Sequence, residues 1–228
     1  MRKREMLQIA PDVWQLDGFP PNAINVYLIG DVVIDAATRW SARRIARQLE
    51  NRELSLLALT HVHPDHQGAA DALCRRYEFP LACHAADVPT MQGEQPMQPD
   101  NAFIRFSSRL WSGPPCSVDH VLNEGDEVAG FRVVHTPGHT PGHITLFRDE
   151  DRIAIVGDVL NGMYLLTAWP GLHEPPPIFC TDVAENRRSI RRVAELEPRI
   201  LCFGHGPPLR DMTKLDRLLE HLDPTPAP

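Results

Sequence analysis

The first third of the chain is a series of short apolar runs, Val13 to Leu16, Ile24 to Ile29 and Val32 to Ile34, the last two separated by the turn Gly30-Asp31. This pattern predicts an antiparallel start. Ser41 caps a predicted helix over Ala42 to Glu50, and the apolar run Leu54 to Leu59 reads as a strand covered on both faces. Gly68 to Tyr77 has helical spacing with Ala69, Leu73 and Tyr77 on one side, and Pro80 precedes a short strand, Leu81 to His84. Residues 89–117 lose all period: Pro89, Pro96, Pro99, Pro114 and Pro115 stand among Met, Gln and aromatic residues, which predicts an irregular inserted flap. Strand-like runs return at Phe131 to Thr136, Ile144 to Arg148 and Ile153 to Val156. A second irregular piece, Gly162 to Cys180, leads into a predicted helix over Asp182 to Glu197 and a last strand, Ile200 to Phe203. The tail, residues 223–228, is expected to be disordered. Strands first, then strands alternating with helices, predict a mixed α/β (α+β) fold with helices outside the sheets.

Length and composition change this picture little. With 228 residues and 43% hydrophobic content, the chain can bury one sizeable core, so a single domain over residues 1–228 is expected. Lys and Arg number 23 against 30 Asp and Glu, which argues against nucleic acid or an anionic membrane as partner and favours a small-molecule substrate. The basic start, Met1 to Glu5, is not followed by the apolar core of a signal peptide, and no stretch is long and apolar enough to span a bilayer. Five scattered cysteines, with no C-x-x-C pair, resemble neither a disulfide framework nor a zinc knot, so a reducing cytoplasm is the expected compartment.

The chemistry starts in the segment His61-Val62-His63-Pro64-Asp65-His66, which sits between a predicted strand and a predicted helix. In extended backbone His61 and His63 project to the same side, while the turn at Pro64 lets Asp65 and His66 approach from another. Six residues thus offer four metal-ligand groups. His139 in Thr136-Pro137-Gly138-His139, Asp158 after Gly157 and His205 in Gly204-His205-Gly206 each lie just past a predicted strand, where α/β scaffolds present functional loops. Taken singly, each has an ordinary explanation as a turn residue or a solvated histidine. Three such positions after a dense His/Asp segment are harder to explain that way. The neighbouring glycines permit tight turns and close approach.

The series H-x-H-x-D-H, T-P-G-H-T-P-G-H, G-D and G-H-G, in this order, resembles the metallo-β-lactamase superfamily over essentially the whole chain. The resemblance implies a four-layer αββα sandwich with the site at the edge where two sheets meet. It further implies that His61, His63 and His139 hold one metal, that Asp65, His66 and His205 hold a second, that Asp158 bridges them, and that Asp35 lies behind the ligands. Such donors suit zinc, iron or manganese, with zinc expected first. Two adjacent cations would deprotonate a water near neutral pH and polarise a carbonyl, so neither Ser nor Cys is needed as nucleophile.

Asp158 stands where true β-lactamases carry Cys or Ser, so little antibiotic hydrolysis is expected. The pattern is similar to the glyoxalase II thioesterases, the acyl-homoserine lactonases and the persulfide dioxygenases. A dinuclear hydrolase of thioesters or lactones is favoured, with Asp65 and Asp158 in the catalytic centre. The lactonase resemblance makes Tyr164 a candidate to assist the substrate carbonyl, although Asn161 is nearer in sequence. Arg210 and Lys214 could meet a substrate carboxylate, but a solvated helix face is the simpler reading. His143 is read as a structural histidine rather than a ligand. Met91, Met97, Phe103, Phe106 and Trp111 either line a pocket or pack the flap onto the core. Two alternatives stay open: a mononuclear-iron persulfide dioxygenase, and a non-catalytic binding domain braced by metal.

Overall fold

The computed structural model describes residues 6–164 and 167–222. The expected disordered tail and the basic residues 1–5 lie outside the described residues. Seven strands form the first sheet in chain order: β1 (Leu7–Ala10), β2 (Val13–Gln15), β3 (Tyr27–Ile29), β4 (Val32–Ile34), β5 (Leu56–Ala58), β6 (Leu81–His84) and β7 (His120–Leu122). The first four pair antiparallel, as the turn-separated runs predict, and from β4 onward the pairing is parallel. A second sheet, from β8 (Glu127–Val128), β9 (Phe131–His135), β10 (Ile144–Arg148), β11 (Ile153–Gly157) and the late strand β14 (Ile200–Phe203), has the order β14-β11-β10-β9-β8. A two-stranded ribbon, β12 (Asn161–Met163) with β13 (Pro170–His173), occupies part of the second irregular piece.

The period of two explains the layers. Val32 and Ile34 face inward to meet Val133, Leu146, Ile155 and Cys202 of the second sheet, while Val33 between them faces outward. Outward residues of the first sheet, with Leu57 and Leu59, pack on Ile45 and Leu49 of α1 (Ala42–Gln48) or its end and on Leu73 of α3 (Ala70–Tyr77). Those of the second sheet, Val134, Phe147, Val156 and Leu201, pack on Ile190 and Val193 of α6 (Val183–Glu195) and Leu215 of α7 (Thr213–Leu222). Both faces of both sheets are therefore covered, giving helix, sheet, sheet, helix. The fold class read from the sequence is the one observed. Asp182 caps α6, its carboxylate accepting from Glu185 N at 2.9 Å.

The flap differs from expectation. Residues 89–117 contain α4 (Val88–Met91) and a ten-residue helix, α5 (Ala102–Trp111), capped by the side chain of Asn101, which accepts from Ile104 N at 3.0 Å. The apolar pattern concealed α5 because it runs backwards: Phe103, Phe106, Leu110 and Trp111 are all exposed, while Ser107 is buried beside Ile104.

Candidate metal centre

The C-terminal ends of β5, β9, β11 and β14 converge on one edge of the sandwich. His61 and His63 follow β5; Asp65 and His66 lie on the single turn α2 (Pro64–Gln67), with Pro64 at its first position. His139 comes from the loop between β9 and β10, Asp158 directly follows β11, and His205 follows β14. Ligand atoms within 4.8 Å of one another form three overlapping groups: His61, His63 and His139; His61, His66 and Asp158; Asp65, His66 and His205. All the residues marked out by sequence as ligands are thus brought together.

Four of the five imidazoles are held through one nitrogen, which leaves the other turned toward the cluster. Thr60 donates its hydroxyl to Asp35 Oδ2 at 2.8 Å, so Thr60 Oγ1 can accept from His61 Nδ1 at 3.1 Å. His63 donates from Nε2 to the carbonyl of Gln98 at 2.6 Å, His66 from Nδ1 to Asp35 Oδ2 at 2.9 Å, and His205 from Nδ1 to the carbonyl of Ala23. His139 Nδ1 lies 3.9 Å from Cys180 Sγ. The remaining lone pairs point at one another: His61 Nε2 is 3.2 Å from His63 Nδ1. Asp158 lies across the cluster, with Oδ1 3.4 Å from His66 Nε2 and Oδ2 3.7 Å from His139 Nε2 and 3.0 Å from His205 Nε2. His205 Nε2 is also 3.3 Å from Asp65 Oδ2.

His66 Nε2, His139 Nε2 and Asp158 Oδ1 are buried without a hydrogen-bond partner among the described residues. Orphaned polar atoms of this kind are rare in protein interiors and call for an explanation such as a bound ion. Clustered nitrogen and carboxylate donors fit a divalent transition metal. Electrostatics divide the histidines into two sets. Burial, with the neighbouring imidazoles adding to it, drives His61 and His139 well below the ordinary histidine pKa, and burial first also lowers His63. Burial opposes the charged form of His66 and His205 too, but Asp158 outweighs it, helped by Asp35 at His66 and by Asp65 at His205. His66 is therefore raised, and His205 is pushed up to about 10.

His143 stands outside the three groups. Its Nε2 accepts from Asp158 N at 3.0 Å and its Nδ1 lies 2.9 Å from the Thr136 hydroxyl, while burial first holds its pKa down to about 3. Gly157, with φ +50°, lets this ring in: a Cβ there would sit 2.7 Å from His143 Nε2. Asp87 was not signalled by the sequence, because an Asp before Pro89 reads as an ordinary helix start. Its buried carboxylate accepts from Val62 N at 2.9 Å, Thr140 Oγ1 at 2.9 Å and Gly142 N at 2.8 Å, and so ties the His61–His66 segment to the His139 loop. Asn25 and Tyr27 anchor the His205 turn through the carbonyl of Phe203, at 2.8 and 2.7 Å.

The chain over residues 19–205 matches the family model described as the metallo-beta-lactamase superfamily. It belongs to that superfamily. It is 32% identical over 242 residues to the "Probable metallo-hydrolase YflN" of Bacillus subtilis, covering 90% of this chain and 91% of that one. It is 32% identical over 126 residues to the hydroxyacylglutathione hydrolase GloC of Haemophilus influenzae, covering 52% and 57% of the two chains. Among solved structures, a β-lactamase domain protein from Burkholderia ambifaria is similar with a TM-score of 0.70 and 25% identity over 96% of this chain and 76% of that one. Membership carries a metallo-hydrolase assignment and a candidate His/Asp metal site for this superfamily member.

The other residues singled out by sequence lie outside the cluster. Tyr164 follows β12, half exposed, its ring stacked on His173 at 4.4 Å between centroids. The ribbon that carries it is joined to the centre by Gly162 N, which donates to the carbonyl of His205 at 2.7 Å. Arg210 precedes α7 and donates to the carbonyl of Ile9 at 3.2 Å, and Lys214 is on the exposed side of α7. Among the described residues no helix is long and apolar enough to cross a membrane.

Proposed function

We propose that this chain hydrolyses a small ester-type bond, a thioester or a lactone, with two divalent cations, zinc first, held by His61, His63 and His139 and by Asp65, His66 and His205. The observation that carries the reading is Asp158, whose two oxygens reach toward imidazoles of both groups while Oδ1 has no other partner. When bound, such a pair of cations lowers the pKa of water toward neutrality and polarises a carbonyl.

The chain's own residues do the rest. Asp158 and Asp65 supply negative charge between the imidazoles, and Asp35, Gln98 and Ala23 fix which nitrogen His66, His63 and His205 offer. Tyr164 is proposed to donate its hydroxyl to the substrate carbonyl. The similarity to GloC supports the thioester. The cysteines are free, in keeping with a reducing cytoplasm. Cys180 is disfavoured as nucleophile: it is buried, and burial pushes its thiol up to about 12.

The test is metal analysis of chain purified without added metal, paired with initial rates on one thioester, one lactone and one persulfide. Two zinc ions per chain with thioester or lactone turnover support the proposal, and one iron with oxygen consumption on the persulfide overturns it. Asp158→Ala that keeps its fold and loses turnover separates catalysis from bracing; unfolding would favour bracing.

A further inference from the structure

Two irregular segments, the flap and the piece that ends at Cys180, each stand behind one histidine of the same ligand group. From the flap, the carbonyl of Gln98 accepts from His63 Nε2 at 2.6 Å. From the other piece, Cys180 Sγ lies 3.9 Å from His139 Nδ1, and Thr181 beside it donates from N and Oγ1 to the carbonyl of His139 at 3.1 and 3.2 Å. The rings of His63 and His139 stand nearly at right angles, 77°, with centroids 4.5 Å apart. A cation shared by the two rings needs the segments behind them at a fixed separation.

The segments meet at Asn101. Its Nδ2 donates to the carbonyl of Ile178 at 2.8 Å, and its Oδ1 accepts from Ile104 N at 3.0 Å as the cap of α5. An N–H on one side and a carbonyl on the other fix the orientation of the amide. Asn101 N donates to the carbonyl of Pro99 at 2.9 Å, which closes the turn leading back to Gln98. Across the junction, Phe179 N and Cys180 N donate to the carbonyls of Pro176 and Pro177 at 2.9 and 3.1 Å, closing the turn that carries Ile178 toward His139. The ring of Phe103 stands edge-on to that of Phe179, 5.2 Å between centroids, and packs the same junction. Capping α5 needs only an oxygen at position 101, which Asp or Ser supplies as well as Asn. The N–H donor reaching across to a different segment is what capping leaves unexplained.

We propose that Asn101 is a positioning residue for the group His61, His63 and His139: its carboxamide locks the flap to the second segment and so sets where the His63 and His139 rings offer their nitrogens. The consequence for a bound cation rests on the two-cation function proposed above; the order imposed on the His63 ring does not.

The experiment compares the parent chain with Asn101→Asp and Asn101→Ser, which keep a capping oxygen for Ile104 N and lose the donor to Ile178. Both should melt within about 4 °C of the parent, the shift expected for one lost hydrogen bond. Imidazole NMR on the chain as purified then reads the His63 Nε2 proton, which should exchange with water about ten-fold faster in both variants. The Nδ1 protons of His66 and His205, held outside the flap, should be unchanged. Zinc release from the loaded chain to a chelator gives the second readout: the faster phase should quicken about ten-fold while the slower stays at the parent rate. The negative charge added in Asn101→Asp would by itself hold a cation more tightly, so faster release there is not an effect of charge. Unchanged His63 exchange in both variants overturns the proposal, as does equal quickening at His63, His66 and His205, which marks general loosening, or a fast zinc phase that stays at the parent rate. A chain that takes up no zinc refutes the two-cation function instead, and His63 exchange then decides the role of Asn101 alone.

Discussion

Gly204 offers a sharp test of the centre's geometry. Its φ is outside the left-handed region, so alanine is admissible on backbone grounds. Space is the obstacle. A Cβ built at Gly204 would lie 2.0 Å from Asp158 Oδ1 and 2.6 Å from His66 Cε1, where 3.0 Å is already closer than real side chains come. Asp158 Oδ1 must therefore retreat by about 1 Å, the difference between 3.0 and 2.0 Å, and the His66 ring must tilt. Overpacking of this kind costs about 1–3 kcal/mol, which a domain of ordinary stability survives. Misplacing a reacting group by about 1 Å costs on the order of a hundred-fold in rate.

Gly204→Ala should therefore fold, with an unfolding free energy lower by about 1–3 kcal/mol, while binding less metal and losing about a hundred-fold in kcat. Denaturant unfolding, metal analysis and initial rates on the active substrate measure the three quantities. Gly125→Ala is the control: its φ is +86° with nothing within 4 Å of a Cβ, so strain lowers stability there without touching the centre. A Gly204→Ala protein with a full metal complement and unchanged kcat would refute the placement of Asp158 Oδ1 and the bridging role built on it.

Asp87→Asn turns one acceptor into a donor facing Val62 N, Thr140 Oγ1 or Gly142 N, and should lower the urea unfolding free energy by about 2–4 kcal/mol and speed metal release to a chelator. Stripping the metal should lower Tm, since a ligand at a thousand times its Kd contributes about 4 kcal/mol; an unchanged Tm in calorimetry would argue that the orphaned atoms do not hold an ion. His84 stacks on His135 at 4.0 Å and accepts from Ala86 N, and burial first, then His135, lowers its pKa to about 4. The unfolded chain thus binds the extra proton from pH 6.5 down to about 4, so this stabilisation is present above 6.5 and lost across that window. After solvent screening the loss is about 1–2 kcal/mol, and His84→Gln should flatten the fall in stability with pH by that amount.

What could be read from the sequence depended on where each residue's partner sits. Strands β9, β10, β11 and β14 were legible because both their faces are largely buried, which makes the runs predominantly apolar. The strands β1, β7 and β8 were not, because they lie at the edges of their sheets and show mixed exposure; His120 and Val121 of β7 face solvent. The candidate ligands were legible because four of them fall within six residues and the others each follow a strand. Their supports were not. The carbonyls of Gln98 and Ala23 carry no side-chain signature at all, and Cys180 had no motif to connect it to His139, 41 positions away.

The supports also rank the two groups of ligands by how firmly they are held. Asp35, itself in the left-handed region at φ 62°, accepts from Thr60 N and Thr60 Oγ1 at 2.8 Å each and from His66 Nδ1 at 2.9 Å, and through Thr60 it also orients His61. One carboxylate thus fixes a ring in each group, and Ala23 fixes His205. His139 has only a sulfur at 3.9 Å, a weak acceptor beyond ordinary hydrogen-bond length. His63 depends on the flap, through Gln98. The group His61, His63 and His139 therefore rests on one strong support, one contributed by an insertion and one weak contact, whereas His66 and His205 in the other group are each held by a strong acceptor outside the flap. Since a ligand's affinity for metal follows the order imposed by the atoms behind it, the first group is the one whose cation should leave first under a chelator.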